Sequence, residues 1–128
     1  MEQIALLITS FLFGGMLLFA TGFGPIVLKN LEGNVARLFI RNTFPHFYLF
    51  VLVSSFLAAV TIFVFVPFAS MALLAIFFST IPARQILMPA INAAADEGDK
   101  KKFKLLHALS VAITLAHIVI AGAVLCVW

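Results

Sequence analysis

Four stretches of this chain, residues 4–28, 44–66, 69–95 and 103–127, are apolar over the length that crosses a bilayer as a helix, which is about 20 residues. A chain that repeats such a stretch four times has few ways to fold. Lipid offers no partners for backbone N–H and C=O groups, so each stretch must satisfy its own within a helix. The expected fold is all-α, an integral membrane four-helix bundle forming a single four-span domain over residues 1–128. Composition agrees: 64% of residues are hydrophobic and 10% charged, with a mean hydropathy of +1.20, whereas a soluble domain carries about a quarter charged residues. Pro25, Pro67 and the Gly98 region read as chain-turning positions. Pro82 and Pro89 fall inside the third stretch and are expected to kink it.

The charges orient the bundle. Lys29, Arg37 and Arg41 lie between the first two stretches, and Lys100, Lys101 and Lys102 between the last two, with Lys104 at the very start of the fourth. The amino terminus, the second turn and the carboxyl terminus have no Lys or Arg. The positive-inside rule then sets both charged loops in the cytoplasm and both termini outside. The opening "MEQIALL" lacks the basic start of a secretory signal and reads as a retained helix. The segment Gly33 to Phe44 has two readings, an amphipathic helix lying at the inner interface or an extension of the second helix. A pI near 9.4 does not imply nucleic acid, because the basic residues flank apolar runs instead of forming a patch.

The eighth basic residue breaks the pattern. Arg84 stands inside the third stretch, in "STIPARQILMPAIN", and every acidic residue lies elsewhere. Three answers stand side by side for its charge. Pro82 and Pro89 withhold N–H groups from the carbonyls of Phe78 and Gln85, which Arg84 can use along with Gln85 and nearby hydroxyls. Alternatively it snorkels, lying about 12–16 Å from the exit near Asn92 to Ala95. Or an anionic ligand supplies the missing charge, since carboxylate and phosphate match the guanidinium fork. Gln85, Met88 and Asn92 form a stripe beside it. On the fourth stretch His107, Ser110, Thr114 and His117 follow spacings of three, four and three, a polar stripe expected to face the interior. His46 and His107 begin their helices at comparable depth, where they could approach each other, although "PHFY" reads equally well as an aromatic interface anchor. The candidate ligand-binding set is Arg84, Gln85, Asn92, His107, Ser110, Thr114 and His117. In the first stretch Ser10, Gly14, Thr21 and Pro25 fall within one face, and Gly14, Gly15, Gly22 and Gly24 suit a packing seam.

The segments "FGGMLLFATGFGPIVL", "NVARLFIRNTFPHFY", "ARQILMPAIN" and "FKLLHALS" together resemble a widespread family of short four-span membrane proteins. That family is catalogued in bacteria as a domain of unknown function, and its eukaryotic branch is associated with platinum-drug resistance. The resemblance is carried most specifically by Arg37 to Tyr48 and by Phe103, Leu106, His107 and Ser110. It implies a four-span fold in a bacterial inner membrane, and no settled activity. Thr114 stands where the family often carries Asn. A looser architectural likeness links the chain to copper-resistance D-type membrane domains and to a haem-pathway oxidase of similar size, without a histidine in the first span.

Little here suits an enzyme. There is no paired intramembrane carboxylate, no nucleophile–base–orienter set and no glycine-rich phosphate loop. The single Cys126 excludes an intrachain disulfide and a cysteine-paired metal site. Three histidines suit copper or haem iron without selecting either; if haem b binds, His107 or His117 is the expected ligand and Arg84 the propionate clamp. The leading expectation is a non-enzymatic protein with an inner-side polar cleft that binds or transports a small or amphipathic anionic ligand. A tetrapyrrole redox protein and a structural subunit are the alternatives. Expected partners are the lipid bilayer, that ligand and a second copy or larger membrane complex, with no nucleic acid.

Overall fold

The computed structural model describes residues 1–127; Trp128 lies outside the described residues. Four helices of membrane-crossing length follow in order: α1 Glu2–Asn30, α2 Gly33–Ile62, α3 Pro67–Glu97 and α4 Lys100–Cys126. They run up and down in a closed ring, α1 against α2, α2 against α3, α3 against α4 and α4 back against α1. The turns at Leu31–Glu32 and Gly98–Asp99 lie together at one end, called here the charged-loop end. Gly98 sits at φ 72, the left-handed conformation that glycine adopts freely. It closes α3 with N–H bonds from Gly98 to Ala95 and from Asp99 to Ala94, satisfying the last carbonyls. Asp99 then caps α4, its carboxylate accepting from the Lys102 N–H at 3.1 Å.

One open reading is decided and two sequence expectations change. Gly33 to Phe44 is an extension of α2, not a separate interfacial helix. The second helix ends at Ile62, and the turn before α3 is residues 63–66, with Pro67 as the first helical residue of α3, the position where a missing N–H costs nothing. Pro25 does not turn the chain: α1 continues through it to Asn30.

Pro25 is accommodated by a π turn. Residues Phe19–Phe23 wind with an extra residue, and the Gly24 N–H reaches back five places to the carbonyl of Phe19. Proline lacks an N–H and crowds the carbonyl four residues before it; one wider turn relieves both without breaking the helix. In α3 the same device recurs at Ala83–Leu87, where the Met88 N–H bonds to Ala83 ahead of Pro89.

These two π turns lie 64 positions apart, as do Pro25 and Pro89. Four of the five buried positions of α1 repeat at the same interval: Ala5, Thr9, Leu12 and Met16 correspond to Ala69, Leu73, Ile76 and Thr80, all buried. In α2 and α4 the interval is 62, pairing Tyr48 with Ser110, Ser55 with His117, Ala59 with Ala121 and Ile62 with Val124, again all buried. The α1–α2 hairpin is thus repeated as the α3–α4 hairpin, and the closed ring gives the bundle an approximate twofold axis along its length.

Because lipid is as apolar as the core, packing and hydrogen bonds hold such helices together. The centre is filled by Leu12, Met16, Ile62, Leu73 and Ile76. Two side chains of α3 donate to α2 backbone carbonyls: Ser70 Oγ to Ala59 at 2.7 Å and Arg84 Nε to Pro45 at 3.4 Å. Ser70 and Arg84 are fourteen residues apart, and so are Ala59 and Pro45, which fixes the register of this seam.

Candidate functional site

Arg84 lies inside the second π turn, half-buried, on the seam with α2. Its only hydrogen bond among the described residues is the long one to the Pro45 carbonyl. A guanidinium carries five N–H donors, and a 3.4 Å bond is weak beside the usual 2.7–3.2 Å. The one ion pair among the described residues is elsewhere, between Arg41 and Asp96. The carbonyls of Phe78 and Gln85 that Pro82 and Pro89 leave aside are not what Arg84 uses; it reaches across to the neighbouring helix instead.

Around Pro45 an aromatic layer closes the bundle. Phe19, at the start of the first π turn, stacks on Phe47 with centroids 4.0 Å apart and planes within 10°, and meets Phe44 edge-on. Since Phe19 and Arg84 meet α2 at Phe47 and Pro45, both π turns lie at one level. At this level Tyr48 and Ser110 share a 2.9 Å hydrogen bond from α2 to α4, diagonally across the ring. Their twofold-related positions thus bond to each other at the axis.

The pair Tyr48–Ser110 sets up an asymmetric test. Ser110→Ala strands a phenol that is 3% exposed, at a cost of about 1–3 kcal/mol. Tyr48→Phe is expected to cost less, because the Ser110 hydroxyl can turn to its own backbone four residues back. The double variant should resemble Tyr48→Phe. Reversible denaturation in mixed micelles measures all three, and equal losses in the two single variants would contradict this reading.

At the charged-loop end, Arg41 grips Asp96 through two bonds of 2.7 and 3.0 Å and donates a third to the Asn92 carbonyl at 3.3 Å. This forked pair latches α2 to the end of α3. Asp96 lies beyond the apolar stretch that ends at Ala95, and the Arg41 hydrogen bonds, with the charges of Arg41 and Arg37, hold its carboxyl below the usual carboxylate range. Asn92 therefore contributes its backbone at this point.

The remaining candidates separate. Gln85 is exposed, and Met88 and Asn92 are half-buried, because the π turn changes the phase of the stripe they were expected to form. On α4, Ser110 and His117 are buried and Thr114 half-buried, but His107 is exposed and stacks on Phe103 with centroids 5.7 Å apart. His117 meets Ser79 of α3, Nε2 to Oγ at 2.7 Å. Ser79 also donates to its own backbone at Ala75. His46 lines an open, largely apolar groove of about 460 Å³ between α1 and α2, with Phe11, Phe50 and Ser54. His46 and His107 are thus not brought together. Among the described residues, no group of three His, Cys, Asp or Glu is placed to hold a metal ion. Haem fits poorly: His117 is engaged by Ser79, His107 stacks on an exposed face, and Arg84 lies on the α2 seam.

Sequence reasoning missed Tyr48, Ser79, the Pro45 carbonyl and the Arg41–Asp96 pair. Only the last left a signal, since both residues flank charged loops expected at one end.

A family model described as a domain of unknown function, DUF4149, matches residues 7–100. The match takes in both π turns, Pro45 and Arg84 and ends before His107 and Ser110. No curated protein and no solved structure matches the chain.

Proposed function

The chain belongs to the DUF4149 family, a domain of unknown function, and since membership assigns no activity we propose one from the site: a non-enzymatic membrane protein that binds the anionic head of an amphipathic ligand at Arg84. The observation that carries this reading is a half-buried guanidinium with, among the described residues, one 3.4 Å bond and no carboxylate partner. A charge within a membrane is expensive and is kept where it acts. Carboxylate or phosphate supplies both the counter-charge and acceptors for the free donors. The positive-inside rule supports a site in the cytoplasmic half of the inner membrane, and the apolar exterior suits a ligand that arrives through the lipid. Gln85, exposed beside Arg84, and Asn92, eight residues on toward the charged-loop end, are the polar side chains of α3 that would orient it. Ser110 and Thr114 belong to the facing α4, with Ser110 held by Tyr48.

Native mass spectrometry of the intact protein released from detergent tests this. The probes are decanoate and dioctanoyl phosphatidic acid, with dioctanoyl phosphatidylcholine as the zwitterionic control. Retention of one stoichiometric anionic adduct, and no such adduct with the control, is the expected result. Equal retention of all three would overturn the reading and leave Arg84 as a structural residue.

A further inference from the structure

The two π turns have a feature that a local account of each proline does not explain. They occupy equivalent positions in the two repeated hairpins, 64 residues apart, and they lie on α1 and α3, the diagonal pair of the ring. Between them lies the twofold axis, marked by the Tyr48–Ser110 bond. Before this level, α1 and α3 are continuous helices in which buried Ala5, Thr9, Leu12 and Met16 correspond to buried Ala69, Leu73, Ile76 and Thr80. Wide π turns weaken the hydrogen-bond ladder locally, and helices bend where it is interrupted. Interrupted helices at corresponding positions of two repeats mark the binding region in membrane proteins built this way.

We propose that the two π turns are a matched pair of hinges, about which the charged-loop-end segments of α1 and α3 swing apart to admit ligand to Arg84. This rests on the reading of Arg84 as the ligand site. The segments that move are Gly24–Asn30 and Met88–Glu97, each beginning with a residue followed by proline. The opposite halves, packed through Leu12 and Ile76, stay fixed. The Arg41–Asp96 pair is the latch: it holds the moving end of α3 to α2, and its release is required for α3 to swing. Pro25 and Pro89 are both exposed, so replacing them leaves no hole in the core.

Double electron–electron resonance on the full chain in lipid nanodiscs tests this in a Cys126→Ser background. One label pair, Lys29→Cys with Ala93→Cys, reports the moving ends; a second, Leu7→Cys with Met71→Cys, reports the fixed ends. All four positions are exposed. The moving pair is expected to give two distance populations and the fixed pair one. Asp96→Asn shifts the moving pair toward the longer distance, and Pro25→Ala with Pro89→Ala collapses it to a single population. Dioctanoyl phosphatidic acid shifts the populations in the parent but not with Arg84→Gln. A moving pair as narrow as the fixed pair overturns the hinge even if the probe binds. Two populations that ignore the probe keep the hinge as a motion but overturn its role at Arg84.

Discussion

Arg84→Gln is expected to reduce retention of decanoate and of dioctanoyl phosphatidic acid by about ten- to hundredfold, the equivalent of about 1.5–3 kcal/mol for a hydrogen bond to a charged group. Stability should hardly change. The bond lost is the long contact to Pro45, and interhelical hydrogen bonds in bilayers are worth about 0.6 kcal/mol on average. Removing the charge also removes its desolvation cost. Arg84→Lys separates charge from geometry: it keeps the cation and loses the planar fork, so intermediate retention is expected. The same native mass spectrometry reads binding, and denaturation in mixed micelles reads stability. Large destabilisation by Arg84→Gln with unchanged retention would make the arginine a packing and anchoring residue.

The second large effect concerns adjacent glycines with opposite surroundings. A Cβ on Gly15 would sit 2.5 Å from the Cζ of Phe50, whereas a Cβ on Gly14 meets nothing within 4 Å. Phe50 is itself held edge-on by Phe11, with centroids 5.2 Å apart. Gly15→Leu is therefore expected to prise α1 from α2 at a cost of about 1–3 kcal/mol, the usual range for overpacking. Gly14→Leu should be neutral or slightly stabilising, since it only replaces glycine within a helix. Thermal or denaturant unfolding of the two variants side by side checks the contrast. Equal losses would show that Phe50 moves freely and that the seam does not depend on glycine.

Much of this fold was legible in the sequence because the bilayer imposes its own length scale. Four runs of sufficient length gave four helices, and the all-α four-span class follows from them. The repeat was hidden: over α1 and α3 the equivalent positions share Ala5 with Ala69, Phe13 with Phe77 and Pro25 with Pro89 and otherwise differ, so only burial reveals it. The candidate site was legible one residue at a time but not in its pairing. Arg84 stood out by charge alone, while its contact with a backbone carbonyl leaves no trace in residue types. His107 was placed in the interior stripe by spacing, yet the stripe is wider than the buried face, and one end of it lies outside. Proline was read as a turn or a kink at Pro25 and Pro89; a π turn is a third outcome that sequence patterns do not distinguish from the other two.

The π turn in α3 also sets an angular phase. It inserts one extra residue into a helix that otherwise advances by about 100° per residue. Deleting one residue within 83–87 would restore an ordinary α-helix and rotate everything beyond it by about that angle. The Asn92 carbonyl and the Asp96 carboxylate would then turn away from Arg41 with their identities unchanged. The extra residue acts through counting, not through its side chain, and it aims the end of α3 at its partner.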